Sequence, residues 1–263
     1  MVMTPLWDDN PFTQPLKPIV TWCLIAANII VFFYEAGAPQ AGLDRMIDTF
    51  SLTPAALYGD IAPRGALPPL VTLISYQFFH ADIGHLAGNM IFLWVFGDDI
   101  ERALGRVRYL IFYLACGALA GVVFALYDPH SGIELIGASG AIAAVVVAYL
   151  MLRPCAKITV LLAIIPLRIS AYWVVGLFIL TQLWKLGAAS KSEVAYWCHF
   201  GGMLAGATPS EAFFVTCNAA NNPQESVDAG RIITDIGVAP AIPAEFIVFR
   251  VGRTVEELEM VER

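Results

Sequence analysis

The sequence predicts an all-α polytopic membrane protein built as a bundle of six transmembrane helices, and three observations carry that expectation. Hydrophobic residues make up 58% of the 263-residue chain and charged residues only 14%, against about 25% charged in an ordinary soluble domain. Mean hydropathy is +0.69. The apolar residues gather into six runs of roughly bilayer-crossing length. A soluble fold of 28.6 kDa keeps too much surface in water to be clothed by so few charges. Disorder, collagen-like repeats and a disulfide-built secreted scaffold are excluded on the same grounds.

Residues 1–18 form an amino-terminal segment, and the first span covers about 19–34, introduced by Pro18 at a position suited to a helix start. Ala36-Gly37-Ala38 resembles a signal-cleavage site, but the region before the run carries Asp8 and Asp9 against a single Lys17, which favours an anchor over a cleaved signal. The stretch from Glu35 to Phe79 is polar, rich in Pro and Gly, and too long for an ordinary connection, so it is a candidate functional segment. The second span covers 85–100, the third 109–127 and the fourth 135–152. A strand-like stretch, Ile158 to Ile165, ends at Pro166 before the fifth span at 169–186. The sixth covers 194–207, with Phe213 to Val215 available to lengthen it across a kink at Pro209. Residues 208–263 read as a polar, cytoplasmic and partly disordered extension, whose charged end (Glu256, Glu257, Glu259, Glu262) has the composition of a short helix.

Positive charges in the short loops set the orientation. Arg102, Arg106, Arg108, Arg153, Lys157 and Arg168 lie on one side, against Lys185 and Lys191 on the other. Both termini are then cytoplasmic and the long first loop faces outward. The net charge of −7 and the lack of a basic run exclude nucleic acid as a partner. Cys23, Cys116, Cys155, Cys198 and Cys217 are scattered and mostly apolar in context, which suits packing rather than disulfides.

Polar groups within hydrocarbon cost several kcal/mol unless paired, so His80, His85, Asn89, Ser139 and His199 each need a reason. In this topology Ser139 lies about 6 Å and His199 about 7 Å below the outer surface at 1.5 Å per residue. His85 stands at the mouth of its span and Asn89 one turn deeper, on the same helix face. Three distant spans thus bring Ser, His, His and Asn to one level. Taken singly, each has a plain reading: packing for Ser139, interfacial snorkelling for His199, interhelical hydrogen bonding for Asn89, loop bracing for His80. Taken together, they permit acyl transfer. An imidazole can take the serine proton, and donors at a helix N-terminus can receive an oxyanion.

Gly137 leaves room for a substrate backbone, while Gly140 and the pairs Gly84/Gly88, Gly117/Gly121 and Gly202/Gly206 read as close helix crossings. Glu101, Arg102 and Arg106 read as a structural charge cluster at the cytoplasmic end. Metal chemistry is not expected: His80 and His85 are five apart and no H-E-x-x-H occurs. No nucleotide loop is present and no cofactor is expected.

Several segments resemble the rhomboid family of intramembrane serine proteases. They are His80-Ala-Asp-Ile-Gly-His85-Leu-Ala-Gly-Asn89-Met, Leu93-Trp-Val-Phe-Gly97, Leu104-Gly-Arg-Val-Arg-Tyr109, Phe112-Tyr-Leu, Gly137-Ala-Ser-Gly140-Ala and His199-Phe-Gly-Gly202 with Gly206. Pro5-Leu-Trp-Asp-Asp-Asn-Pro11 is similar to the start of many bacterial members.

The resemblance implies a six-helix core with a first outer loop partly embedded in the membrane, in a bacterial inner membrane. It implies Ser139 as nucleophile, His199 as general base, and His85, Asn89 and the Ser139 backbone N–H as oxyanion hole, with His80, Gly137, Gly140, Gly202 and Gly206 in support. The implied partners are the lipid bilayer and single-span membrane proteins, cut near the outer end of their helix after it unwinds. Three departures stand out. Val71-Thr72 replaces a family Trp-Arg, so the loop must be braced otherwise; Ala143 replaces an aromatic against the catalytic imidazole; and Thr208-Pro209-Ser210-Glu211 interrupts the sixth span. The rival reading is a rhomboid-like protein that binds membrane clients without cutting them. A small transporter would need inverted repeats or broken midplane helices, which are absent.

Overall fold

The computed structural model describes residues 3–8, 17–162, 165–188, 196–207, 213–216, 232–238, 247–253 and 258–262. It divides into two units, Met1–Ala207 and Thr208–Arg263. The first is mainly helical. Helix α1, Ile19–Ala36, follows Pro18 directly. Its first turn is closed by Glu101, whose carboxyl oxygens accept from the N–H groups of Val20 (2.9 Å) and Thr21 (2.7 Å) and from Thr21 Oγ1 (2.8 Å). These are backbone donors that a helix start otherwise leaves unpaired.

The long first loop holds α2 (Gln40–Phe50), α3 (Pro54–Leu57), α4 (Pro69–Ser75) and a 3-10 turn, Tyr76–Phe78. With no Trp-Arg available, it is braced by buried amide and hydroxyl groups. Tyr76 Oη donates to Gly117 O at 2.7 Å, Gln77 Nε2 to Leu73 O at 3.0 Å and Leu114 O at 3.3 Å, and Ser75 Oγ to Phe50 O at 2.8 Å. Phe50 and Phe79 stack at 5.0 Å.

Helix α5, Ile83–Leu104, starts at Asp82, whose side chain accepts from the His85 N–H, and stops at Gly105, whose φ of 77° lies in the left-handed region. Helix α6 is Arg106–Tyr127 and α7 is Ser139–Leu152. Gly140 to Val147 and Tyr149 of α7 are all buried, so this helix, apolar on every side, is the centre of the unit. Strands β1 (Met3–Asp8), β2 (Lys157–Leu162) and β3 (Ile165–Ser170) make an antiparallel sheet in the order β1-β2-β3. The strand-like stretch is thus β2, and Pro166 lies within β3 opposite Leu161 rather than ending the stretch. Tyr149 Oη donates to Asp8 Oδ2 at 2.7 Å, tying β1 to α7. Helices α8 (Ala171–Ala188) and α9 (Tyr196–Ala207) complete the unit.

Helices occupy all six apolar runs, but with different bounds. Among the described residues two, α1 and α6, are long and apolar enough to cross a membrane, and α7 is a shorter apolar helix. The fourth run begins helically at Ser139 rather than at Leu135, because Leu135 is drawn into an antiparallel bridge with Leu52. Helix α9 has 12 residues, about 18 Å at 1.5 Å per residue. Phe213 does not prolong it, since Phe213–Thr216 is strand β4.

The second unit carries β4, β5 (Ile232–Val238), β6 (Ile247–Arg253) and β7 (Leu258–Glu262), paired antiparallel in sequence order. This segment, read as a partly disordered extension, therefore contains a four-stranded sheet. Of its charged end, Leu258–Glu262 is a strand paired with β6 where a short helix was expected, while Glu256 and Glu257 lie outside the described residues.

Candidate active site

Ser139 is the first residue of α7, where backbone N–H groups lack intrahelical partners and the helix dipole favours negative charge. The turn before it depends on Gly137, at φ +125°. A Cβ there would stand 2.8 Å from His85 Cε1 and 2.9 Å from His85 Nε2. The Gly137 N–H donates to Tyr76 O at 2.9 Å, so the loop turn holds the serine turn. Tyr76 Oη, which also lies 3.4 Å from Cys198 Sγ, ties that turn to α6 and α9. Ser139 thus sits at a helix end and not one turn inside it, as a span from 135 would have it.

His199 comes from the first turn of α9. Its Nε2 lies 2.7 Å from Ser139 Oγ, and its Nδ1 lies 2.8 Å from Gln182 Oε1 on α8. The approach of α9 to α7 is set by absent side chains. A Cβ on Gly202 would overlap the Gly140 carbonyl, one on Gly206 the Ala144 backbone, and one on Gly140 would meet Cys198 Sγ at 2.6 Å. Ala143 packs with Met203 and Phe200 and offers no aromatic ring to the imidazole. The aromatic neighbour of His199 is instead Tyr196, one turn earlier, with ring centroids 6.0 Å apart at 82°.

The other predicted residues gather beside this pair. The rings of His80 and His85 are 5.1 Å apart, edge to face, and Asn89 Nδ2 donates to His80 Nε2 at 2.9 Å. Burial, with His85 beside it, lowers His80 from its ordinary 6.5 to about 4, so the ring is neutral and can accept. The Asp82 carboxyl, which accepts from the His85 N–H at 2.8 Å, is held below its usual range by that bond.

The pair Gly84/Gly88 does not mark a helix crossing. Gly88 faces open space, with nothing near a Cβ, and Gly84 meets only Asp82. Gly117 and Gly121 make room for the first loop, namely Leu52, Leu73 of α4, and Tyr76 and Gln77 of the 3-10 turn. The charge cluster separates: Glu101 turns to α1, Arg102 pairs with Asp98 at 2.8 Å, and Arg106 reaches Lys17 O at 3.4 Å. Among the described cysteines, Cys116 and Cys198 are buried, Cys23 and Cys155 exposed, and all four free; Cys217 lies outside the described residues. Gln182, Tyr196 and Tyr76 were not singled out from the sequence. The available signal for Gln182 was an uncharged polar side chain inside the fifth apolar run.

The arrangement places a hydroxyl against an imidazole whose far nitrogen is already occupied, at the N-terminus of a buried helix. The Rhomboid domain family model matches residues 68–214, a stretch that contains all of these groups. Rhomboid protease GluP of Bacillus subtilis is 31% identical over 127 residues, 48% of this chain and 23% of that protein. Rhomboid protein 1, mitochondrial, of Saccharomyces cerevisiae is 33% identical over 143 residues, 52% of this chain and 40% of the relative. RHOMBOID-like protein 12, mitochondrial, of Arabidopsis thaliana is 34% identical over 152 residues, 51% and 43% respectively. The similarity thus spans less than half the length of each of these relatives. With the family model covering more than half of its residues, the chain belongs to the rhomboid family.

Proposed function

We propose that the chain is an intramembrane serine endopeptidase that cuts single-span membrane proteins near the outer end of their helix. The observation that carries this reading is the 2.7 Å contact between Ser139 Oγ and His199 Nε2, made by residues 60 apart on two helices. In the proposed reaction Ser139 Oγ attacks the scissile carbonyl carbon as its proton passes to His199 Nε2. The oxyanion is received by the Ser139 N–H with His85 and Asn89 as further donors, and Gly137 leaves the approach to them open. His199 then returns the proton to the leaving amine, and water releases the acyl group by the same route. His80 supports this set by holding Asn89, and Gly140, Gly202 and Gly206 support it by letting α7 and α9 touch.

The reading includes six membrane segments, α1 and α5 to α9, with the first outer loop partly in the outer leaflet. Both termini are placed in the cytoplasm by the loop charges, and residues 208–263 form a separate carboxy-terminal unit. We assign the chain to a bacterial plasma membrane; the relative from Bacillus subtilis supports that choice.

The test is fluorophosphonate labelling of the purified full chain. Wild type should label, and Ser139→Ala and His199→Ala should not, while all three keep the same helical content and melting. Equal labelling of Ser139→Ala would refute the assignment, and an unreactive wild type would favour the client-binding reading.

A further inference from the structure

We propose that Gln182 is the positioning residue of this site, its amide oxygen holding the Nδ1 proton of His199 so that Nε2 faces Ser139 as a proton acceptor. The inference rests on the Ser139–His199 reading above. A neutral imidazole carries one proton, and which nitrogen bears it is decided by what the other can bind. Among the described residues the partners of the two nitrogens are Ser139 Oγ at 2.7 Å and Gln182 Oε1 at 2.8 Å. A hydroxyl can donate or accept, and so permits either tautomer. An amide oxygen can only accept, so Gln182 breaks the tie toward Nδ1–H. The opposite tautomer would aim an N–H at the serine and leave it without a base.

The placement of Gln182 follows from its helix. Trp173, Leu177, Leu180 and Trp184 of α8 are exposed, the face a lipid-bordering helix presents outward. Gln182 and Lys185, three residues apart, contact α9 instead: Lys185 Nζ lies 5.4 Å from the centre of the Tyr196 ring. An amide inside an apolar helix is costly unless paired, and the imidazole is its partner. The titratable groups facing His199 are His85 of α5, Lys185 of α8 and Tyr196 of its own helix. Among the described residues no carboxyl group is hydrogen-bonded to the imidazole, so the orienting role falls to a neutral group. Gln182 sets the tautomer without adding a charge that would stabilise the imidazolium.

Two variants and one spectroscopic readout test this on the full chain. Gln182→Leu should slow fluorophosphonate labelling about tenfold, the worth of one hydrogen bond. Gln182→Glu should restore the rate at high pH and move the acid limb of the labelling profile upward by about one pH unit, since a carboxylate also stabilises the protonated ring. Packing alone would give neither the rescue nor the shift. In ¹⁵N-histidine protein, with the signal identified by its loss in His199→Ala, His199 should be protonated on Nδ1. That should hold in wild type and Ser139→Ala alike. Wild-type rate and profile in Gln182→Leu, or a His199 protonated on Nε2, would overturn the proposal. A wild type that does not label yet keeps Nδ1–H would remove the protease reading and leave the Gln182 contact standing.

Discussion

At the scale of single residues, the site depends on groups whose protonation and backbone angle are both constrained. Gly137 illustrates the second: its φ of +125° and the His85 ring beside its Cα each exclude a side chain. His80 illustrates the first. Its lowered value, about 4 against 6.5, means that the unfolded chain takes up a proton over a range where the folded chain does not. His80 therefore contributes full stability above about pH 6.5, and that contribution is lost as the pH falls toward 4. The melting temperature of the Ser139→Ala protein in detergent should drop across that interval. His80→Gln, which keeps an acceptor for Asn89, should flatten the drop. Asn89 and His80 were both legible as candidates, but their bond to each other was not, because nine residues of separation across a turn has no fixed geometry in a one-dimensional pattern.

At the scale of elements, α7 and α9 decide whether a serine and an imidazole meet. Their backbones touch where Gly202 and Gly206 face Gly140 and Ala144. Replacing Gly202 by Leu forces α9 away from α7 and draws His199 off Ser139. A displacement of about 1 Å costs on the order of 10²-fold in rate, so labelling of Gly202→Leu should fall by about that factor while α-helical circular dichroism persists. The pair Gly202/Gly206 and the pair Gly84/Gly88 look alike in sequence, yet only the former lies at a crossing. Spacing reports that two small residues share a helix face; it does not report what that face meets.

At the scale of the whole first unit, unequal interactions hold distant segments together. Arg64 pairs with Glu134 at 2.6 Å, but both are partly exposed, 43% and 28%, and such pairs contribute about 0–1 kcal/mol. Glu101 is fully buried and receives three hydrogen bonds from the start of α1, 80 residues away. Removing it strands two backbone donors, each costing about 1–3 kcal/mol. Glu101→Ala should therefore destabilise the protein by about 3 kcal/mol, and Arg64→Ala by less than about 1 kcal/mol, as measured by denaturant unfolding in mixed micelles. From sequence Glu101 looked like one more charge in a cytoplasmic cluster. Its role as a clamp on α1 comes from contact across the fold.

The sequence by itself determined the class of the protein and its candidate reactive groups. The charge deficit and apolar runs dictate helices, since a backbone in an apolar medium must satisfy its own hydrogen bonds. Ser139, His199, His85 and Asn89 stand out because polar groups in such runs demand partners. Only the tertiary structure decided which partners they have. It began α7 at Ser139 by tying Leu135 to Leu52, supplied Gln182 to His199, and braced the first loop through Tyr76 and Gln77. Those choices depend on contacts between residues far apart in the chain, and local periodicity carries no record of them.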